Sequence, residues 1–149
     1  MIELAMHPTH GFRIVTARGI VTAYEFMTTW RDIVGHRDFD PALDWLIDLS
    51  DVKELDFGYP TVSAVDATLR RIDATGVQQR TAIVAPSDAL YGMSRMFANV
   101  RLSGFQKIEV FRELAPSPRV AGPGACARRH AGLRKLIRSR AGQGHRPAL

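Results

Sequence analysis

The sequence predicts an α/β fold in which helices pack on a mixed sheet of about five strands, in the order β-β-α-β-α-β-α-β. Short apolar runs alternate with longer segments whose apolar residues recur every three or four positions, and glycines and prolines separate them. The chain has 149 residues, 46% hydrophobic and 23% charged, which is typical of one globular domain of ordinary size. Strands that alternate with helices imply parallel strands joined by helical crossovers.

The first two strands are predicted at residues 2–7 and 12–17, where short apolar segments flank Pro8 and Gly11. Proline fixes φ and glycine permits a positive φ, so this turn is expected to join the two strands as a hairpin. Gly19 is expected to end the second strand.

A first helix is predicted from Thr22 to Gly35. Thr22 and Glu25 have the spacing of a capping box, in which each side chain accepts a hydrogen bond from a free amide of the first turn. Gly35 is expected to stop the helix. The apolar stripe that is expected to face the core comprises Phe26, Met27, Trp30, Ile33 and Val34.

The third strand and the second helix follow Pro41. Residues 43–49 are predicted as a largely buried strand because most of them are apolar, and the polar residues 50–54 are expected to form a turn. Pro60 suits the first turn of the second helix, where its missing amide hydrogen costs nothing, and Gly76 is expected to close that helix. Its apolar face comprises Val62, Val65, Leu69 and Ile72.

Residues 80–85 are predicted as a short buried strand that leads into the third helix. Ser87 suits the N-cap of this helix, and Asp88 lies in the first turn, where a negative charge is favoured. The helix has an apolar stripe of Leu90, Met93, Phe97 and Val100, with Met96 beside it.

Two glycines bear on the third helix. Gly92, inside it, is expected to permit a close approach to the sheet, because glycine otherwise costs about 1 kcal/mol relative to alanine. Gly104 is expected to end the helix. The alternating residues 106–112 then predict a last, half-buried strand.

The charge is distributed unevenly along the chain, whose net charge is +5. Residues 1–112 carry twelve Lys or Arg and fourteen Asp or Glu, a net of −2, whereas residues 113–149 carry eight Lys or Arg and one Glu, a net of +7. A nucleic-acid-binding domain would spread its basic residues over a folded face, so the acidic first part is not expected to be one.

Location is predicted from three further observations. No apolar run approaches the roughly 20 residues that span a membrane, and the N-terminus lacks the pattern of a secretory signal. The single cysteine, Cys126, excludes an intrachain disulfide and a cysteine-rich metal site. A cytoplasmic protein without a membrane span is therefore expected.

Four stretches of sequence, together with the element order, resemble the STAS-like fold of bacterial anti-sigma-factor antagonists and of the cytoplasmic domains of sulphate transporters. They are residues 1–3 (MIE), 46–52 (LIDLSDV), 80–97 (RTAIVAPSDALYGMSRMF) and 110–114 (VFREL). The chain is similar in particular to the small uncharacterised bacterial proteins grouped as SpoIIAA-like, over residues 1–114. These are patterns of a fold and not of a catalytic site, so the resemblance implies a regulatory module that binds another protein.

The sequence departs from the antagonists at their phosphorylation site. There, an Asp-Ser-Ser-Gly-like turn follows the third strand, and a partner kinase phosphorylates the second serine. Here, the corresponding residues 56–59 read Asp-Phe-Gly-Tyr, so Asp56 is retained and the serines are missing. Thr61 and Ser63, one turn further on, are the alternative acceptors, and the plain interpretation of both is a surface hydroxyl or a local cap.

A second departure concerns residues 115–149, which hold five of the twelve glycines, four of the eight prolines and no aromatic residue. We expect a STAS-like domain at 1–114 and a flexible basic tail at 115–149. Pro116 and Pro118 block the further helix that usually covers the sheet in such proteins. Three alternatives stay open: residues 127–140 form a short basic helix that docks instead, one flank of the sheet is thinly covered, or the tail is an off-frame extension from a GC-rich gene.

Candidate catalytic and metal-binding residues favour structural roles. His7 and His10 have a spacing that suits a metal, but a metal needs further ligands, so solvated hairpin histidines are the better interpretation. Four aspartates lie on or after a central strand: Asp44, Asp48, Asp51 and Asp56. No partner motif accompanies them, so turns and caps are expected in place of a magnesium site. No nucleophile, phosphate-loop or dinucleotide motif is present, and we expect no enzyme activity, no cofactor and no metal.

The first functional hypothesis is a non-enzymatic interaction module that docks another protein, or a second copy of the chain, without the usual serine switch. Its candidate surface lies at the starts of the second and third helices. The surface comprises Asp56, Gly58, Tyr59, Thr61, Ser63, Ser87, Asp88 and Tyr91.

Two alternatives accompany this hypothesis. One is a pocket for a small hydrophobic ligand or lipid, of the character of CRAL-TRIO domains, although at helical spacing such residues are more often simple core. Its candidate lining comprises Trp30, Met93, Met96 and Phe97. The weaker alternative is association with nucleic acid or an anionic surface through the basic residues 128–140, where no aromatic residue is interleaved for base stacking.

Overall fold

Three helices pack on a five-stranded mixed sheet in the part of the chain that the structure describes. The computed structural model describes residues 1–7, 12–73, 76–77, 79–101 and 106–113. The elements are β1 Ile2–His7, β2 Phe12–Thr22, α1 Ala23–Gly35, β3 Asp44–Asp56, α2 Tyr59–Asp73, β4 Gln79–Val84, α3 Asp88–Val100 and β5 Gln106–Phe111. This order confirms the predicted α/β fold class. The predictions for Pro8, His10, Gly11, Gly104, Cys126 and residues 114–149 lie outside the described residues.

The sheet has the order β1-β2-β3-β4-β5. β1 and β2 pair antiparallel, as predicted for a hairpin, and His7 lies opposite Phe12. All other neighbouring strands pair parallel. Each helix connects one parallel strand to the next strand in the order of the sheet. Because such crossovers are right-handed, α1, α2 and α3 lie on the same side of the sheet. We call this side the helical face.

The predicted apolar stripes form the core on the helical face. Buried side chains of the sheet meet those of all three helices there. The core includes Val15, Ile47 and Ile83 of the sheet, Trp30 and Ile33 of α1, Val62, Val65 and Leu69 of α2, and Leu90 and Phe97 of α3. Phe26, Met27, Val34, Met93, Met96, Ile108 and Val110 pack against it, half-buried. The side chain of Ile72 lies outside the described ones.

β2 and β3 are longer than the sequence predicts. β1 pairs with β2 only as far as Ala17, and β4 pairs with β3 only as far as Asp48, yet β2 and β3 continue together to Thr22 and Asp56. We call this two-stranded part, residues 18–22 with 51–56, the β2–β3 extension.

The predicted strand end at Gly19 and the predicted turn at 50–54 are therefore wrong. Gly19 has a φ of +67° and lies at a shift of register, where glycine accommodates a bulge and lets the strand continue. In β3, the exposed Lys53 and Glu54 look like turn residues in the sequence. They lie between Val52, which is buried, and Leu55, which is half-buried.

The predicted helix caps are confirmed. The Thr22 hydroxyl accepts a hydrogen bond from the Glu25 amide at 3.2 Å, and the Glu25 carboxylate accepts one from the Thr22 amide at 3.2 Å. This backbone hydrogen bond is the main reason that the pKa of Glu25 lies below its usual value, and the nearby α-amino group of Met1 lowers the pKa further. At α3, the Ser87 hydroxyl accepts from the Leu90 amide at 3.2 Å.

The role predicted for Gly92 is wrong, and the prediction for Gly35 holds for its position but not for its mechanism. Gly92 is exposed, and a methyl group placed on its Cα would meet nothing within 4 Å, so the expected close approach to the sheet is absent. α1 ends at Gly35 as predicted, but the capping residue is His36 in an extended conformation. No left-handed glycine is needed to end α1.

Candidate functional site

An apolar pocket lies between the helical face of the sheet and helices α1 and α3, and it is partly open to solvent. Its cavity volume is about 70 Å³. The lining comprises Ile2, Val15, Ala17, Val21, Phe26, Thr29, Trp30, Ile47, Leu49, Leu55, Phe57, Val62, Ile83, Met93, Ser94 and Phe97. β1, β2, β3, β4 and all three helices therefore contribute side chains to one site.

Aromatic rings form one wall of the pocket. Phe57 stacks on Phe26 with ring centroids 4.6 Å apart and an interplanar angle of 19°. Trp30 meets Phe26 edge-on at 6.3 Å and contacts the buried Trp45 at 5.2 Å. These ring contacts hold α1 against Phe57, which directly follows β3, and against Trp45 of β3.

The β2–β3 extension completes the pocket. Val21 and Leu55, paired across the extension, both line it, and Phe57 follows directly after β3 ends. Since the sequence predicts a turn at residues 50–54, it does not reveal these contributors to the pocket. Val52 and Leu55 are three residues apart, so the period-two alternation of a half-buried strand is missing here and no local pattern signals the extension.

The pocket contains almost no polar chemistry. Thr29 and Ser94 are the hydroxyl-bearing residues of the lining, Trp30 adds an indole N–H, and the lining contains no ionisable side chain. A pocket of this composition offers no general acid, no general base and no metal ligand. It can bind apolar groups and donate or accept a few hydrogen bonds.

The structure places three of the four residues predicted for an apolar pocket in this lining. Trp30, Met93 and Phe97 line it, whereas Met96 packs beside it, half-buried against the core. Met93 and Phe97 are four residues apart and share one face of α3, while Met96 is displaced by about 100° around the helix from Phe97.

The predicted interaction surface lies at the starts of two helices. Tyr59 begins α2 and is 55% exposed, and Gly58 and Asp56 beside it are also exposed. Thr61 and Ser63, in the first turns of α2, are half-buried.

The second part of that surface lies at the start of α3. Ser87 and Asp88 are exposed, and Arg112 forms an ion pair with Asp88. The Arg112 guanidinium also lies 4.3 Å from the centre of the Tyr91 ring. β3 continues from Asp48 to Asp56 after its pairing with β4 ends, so α2 and α3 begin at different levels of the sheet.

Two aspartates of β3 accept hydrogen bonds from neighbouring backbone amides, and one of them also pairs with an arginine. Asp44 accepts a hydrogen bond from the backbone amide of Arg80 at 3.0 Å and pairs with its guanidinium at 2.6 Å. Asp48, buried, accepts from the Ser50 amide at 3.0 Å. Among the described residues, no three His, Cys, Asp or Glu side chains are grouped to hold a metal. His10 and the side chain of His7 are outside that part of the chain.

Sequence reasoning misses a buried arginine. Arg13 is 1% exposed, and its guanidinium lies between Phe39, at 4.4 Å, and Trp45, at 4.7 Å. It donates hydrogen bonds to the carbonyl oxygens of Asp40 and Leu43. Burial lowers the pKa of Arg13, and the Asp40 carboxylate opposes that shift. The available signal was an arginine inside an otherwise apolar strand, but its partners are distant in sequence.

A buried ion pair between α2 and the end of α3 is likewise missed. The Asp66 carboxylate accepts hydrogen bonds from Arg70 at 2.8 Å and from the buried Arg101 at 2.8 Å. The spacing of Asp66 and Arg70, four residues apart in a helix, signals the first contact but not the second.

Comparisons with known proteins give similarities of fold. No family model matches the chain, and no curated protein does. A solved structure of an uncharacterised DUF3478-family protein with a SpoIIAA-like fold, from Shewanella loihica PV-4, is 16% identical, with a TM-score of 0.46, over 76% of this chain and 86% of that one. The unphosphorylated anti-sigma factor antagonist SpoIIAA is 13% identical, with a TM-score of 0.49, over 94% of this chain and 98% of that one.

No helix in the described ranges is long and apolar enough to cross a membrane. In fold, the chain is similar to SpoIIAA-like proteins.

Proposed function

We propose that this chain is a non-enzymatic binding module whose pocket takes a small apolar molecule. The observation that carries the proposal is a partly open cavity of about 70 Å³ on the helical face, lined by fourteen apolar residues and two hydroxyl-bearing ones. The absence of titratable groups from that lining supports binding over catalysis.

The energetics favour an occupant. Protein interiors are packed as densely as organic crystals and leave few voids larger than a water molecule. Because this pocket is partly open, water enters it when no ligand is bound, and an almost wholly apolar lining offers that water few hydrogen bonds. A molecule that displaces the water removes the apolar lining and its own apolar surface from water.

The size of the cavity limits the occupant. A cavity of roughly 150 Å³ engineered in another protein binds benzene. A volume of about 70 Å³ therefore admits part of a single ring or a short alkyl chain, with the remainder in the open mouth.

Native mass spectrometry of the protein purified from its own host tests this proposal, together with an NMR titration with toluene. We expect a retained small molecule at one per chain, or saturable binding of toluene by the emptied protein. The variant Ala17→Ile, which places three more heavy atoms in the pocket, is expected to lose binding.

The matched control is Ala64→Ile, because Ala64 is exposed on α2 and does not line the pocket. It is expected to bind as the wild type does. A wild-type protein that carries no molecule and shows no saturable toluene binding would show the proposal to be wrong.

A second candidate function is docking of another protein in bacterial regulation, and the exposed Tyr59 favours it. A large aromatic side chain left 55% exposed, beside the exposed Gly58 and Pro60, has the character of an interface anchor. Within this candidate, Thr61 and Ser63 stay proposed acceptors of a phosphate, a second copy of the chain stays a possible partner, and the cytoplasm is the proposed location.

Crosslinking in host cells tests the docking candidate. Tyr59→Ala is expected to remove a crosslinked partner that Tyr24→Ala retains, since Tyr24 is also exposed but lies outside the proposed surface. Equal crosslinking by both variants would count against this surface.

Association with nucleic acid through residues 128–140 remains the weakest candidate. It is tested by deleting residues 115–149 and measuring DNA and RNA binding at physiological salt. Physiological salt is used because contacts of a basic segment with phosphates are strongly salt-dependent. Binding that survives the deletion cannot come from the tail.

A further inference from the structure

Ser94 is a polar side chain in an apolar setting. It lies in α3, is 4% exposed and lines the pocket. A hydroxyl has one hydrogen to donate and two lone pairs that accept. A serine inside a helix normally donates to the carbonyl four residues earlier, as Thr68 does to Ala64 in α2 at 3.4 Å. The hydroxyl of Ser94 makes no such bond, and it has no hydrogen-bond partner among the residues that the structure describes.

Thr29 of α1 is the second hydroxyl-bearing residue of the same lining. It is half-buried, lines the pocket, and has no hydrogen-bond partner among the residues that the structure describes. Two helices thus each supply one hydroxyl-bearing residue to a lining that is otherwise almost wholly apolar. Buried polar atoms in native proteins are nearly always satisfied, so the unpaired hydroxyl of the buried Ser94 indicates a polar atom on whatever fills the pocket.

We infer that the ligand is a small neutral molecule with a single hydrogen-bonding oxygen, such as a phenol, an alcohol or a ketone, and that Ser94 orients it with help from Thr29. This inference rests on the proposed function. Pockets of this kind bind mainly through apolar contacts and obtain specificity from a few placed polar groups.

The lining also argues against a charged ligand. It contains no Lys, Arg, His, Asp or Glu, and an ionised group buried without a partner is costly. A carboxylate or an amine is therefore expected to bind less well than a neutral molecule of the same shape.

The test compares two probes of nearly the same shape, phenol and toluene, by NMR titration of the full chain. For each protein, the measured quantity is the ratio of the dissociation constant of toluene to that of phenol. In Ser94→Ala this ratio is expected to fall by about three- to tenfold, since one hydrogen bond is lost and only phenol can use it. Thr29→Val is expected to lower the ratio by a smaller factor.

Two controls accompany these variants. Ser50→Ala and Thr28→Val make the same chemical changes at half-buried positions outside the pocket lining, and both are expected to keep the wild-type ratio. Ser94→Ala removes only a hydroxyl that has no partner in the described structure, so its urea midpoint is expected to be at least that of the wild type.

The outcomes separate this inference from the proposed function. If the wild type binds neither probe saturably, the pocket is not a binding site and both are overturned. If the wild type binds both probes and the ratio is unchanged in Ser94→Ala and Thr29→Val, the proposed function stands and the role of the hydroxyls is overturned. A ratio that falls in Ser94→Ala and Thr29→Val but not in the two controls supports both the proposed function and the role of the hydroxyls.

Discussion

The two ends of the parallel sheet are built differently. At the end where β2, β3 and β4 begin, polar groups are matched to partners: Arg13 to two carbonyl groups, and Asp44 to Arg80. The Gln79 side chain likewise donates to the Pro41 carbonyl. At the other end, the β2–β3 extension and the aromatic wall border a cavity lined by Thr29 and Ser94, whose hydroxyls have no partner among the described residues.

This difference indicates which end is scaffold and which end is site. A buried polar group is stable only when its hydrogen bonds are made, so the matched end holds the strands in a single arrangement. Unfilled volume and unmatched hydroxyls destabilise a fold, so natural proteins tend to have them where a ligand completes the structure. The predictions below test that contrast.

The largest expected effect is at the matched end. Arg13→Ala removes a 1% exposed side chain, leaves the carbonyls of Asp40 and Leu43 without their donor and opens a gap between Phe39 and Trp45. We expect a loss of about 3 kcal/mol in the free energy of unfolding, measured by urea denaturation. Arg18→Ala, on the exposed part of the same strand, should cost less than about 0.5 kcal/mol. Equal losses of stability in Arg13→Ala and Arg18→Ala would contradict the proposed difference between the two ends of the sheet.

A smaller loss is expected at the pocket end. Phe57→Ala removes a half-buried ring that stacks on Phe26, and we expect a cost of about 1.5 kcal/mol because the ring is only partly buried. The same change enlarges the pocket, so binding of a larger apolar probe such as naphthalene should tighten. Loss of stability without any change in probe preference would place Phe57 in the scaffold.

A gain in stability is expected away from both ends. Gly92→Ala adds a methyl group that meets nothing within 4 Å, on an exposed face in the interior of α3. Helix propensity then predicts about 1 kcal/mol of added stability, seen as a higher urea midpoint. No change in pocket binding is expected, and a decrease in either stability or binding would contradict the open surroundings of Gly92.

The smallest effect is a pH dependence at the pocket end. The pKa of Glu25 is lowered in the folded state, so its stabilising effect is present above its ordinary pKa and is lost as the pH falls through the lowered value. Urea midpoints measured from about pH 6 to about pH 3 should fall less in Glu25→Gln than in the wild type, because the variant lacks this titration. Identical acid profiles would show that the capping box does not contribute.

Local signals in the sequence predicted the elements and their caps well. Periodic apolar residues defined α1, α2 and α3, and single positions such as Thr22 and Ser87 defined where two helices begin. Both signals depend on neighbours within one or two turns of the chain, and such neighbours are visible in a sequence.

The site was harder to predict because it depends on distant pairs. The β2–β3 extension exists because residues near 20 pair with residues near 54, and the charged Lys53 and Glu54 conceal the strand. The Met, Phe and Trp stripes predicted a core and, as an alternative, an apolar pocket, but not the strand residues that complete its lining. Arg13 finds its partners 27 and 30 residues away, and Asp66 finds Arg101 35 residues away, so no local pattern could indicate these contacts.

The β2–β3 extension also differs from the rest of the sheet in local stability. Within the described residues, β2 and β3 each have one neighbouring strand there, whereas in the body of the sheet both are paired on both sides. A strand paired on one side has fewer hydrogen bonds to hold it and is among the first parts of a sheet to open locally. Because Leu55 of the extension and Phe57 directly after it line the pocket, brief opening of residues 51–56 is expected to give a ligand its way in without unfolding the rest of the sheet.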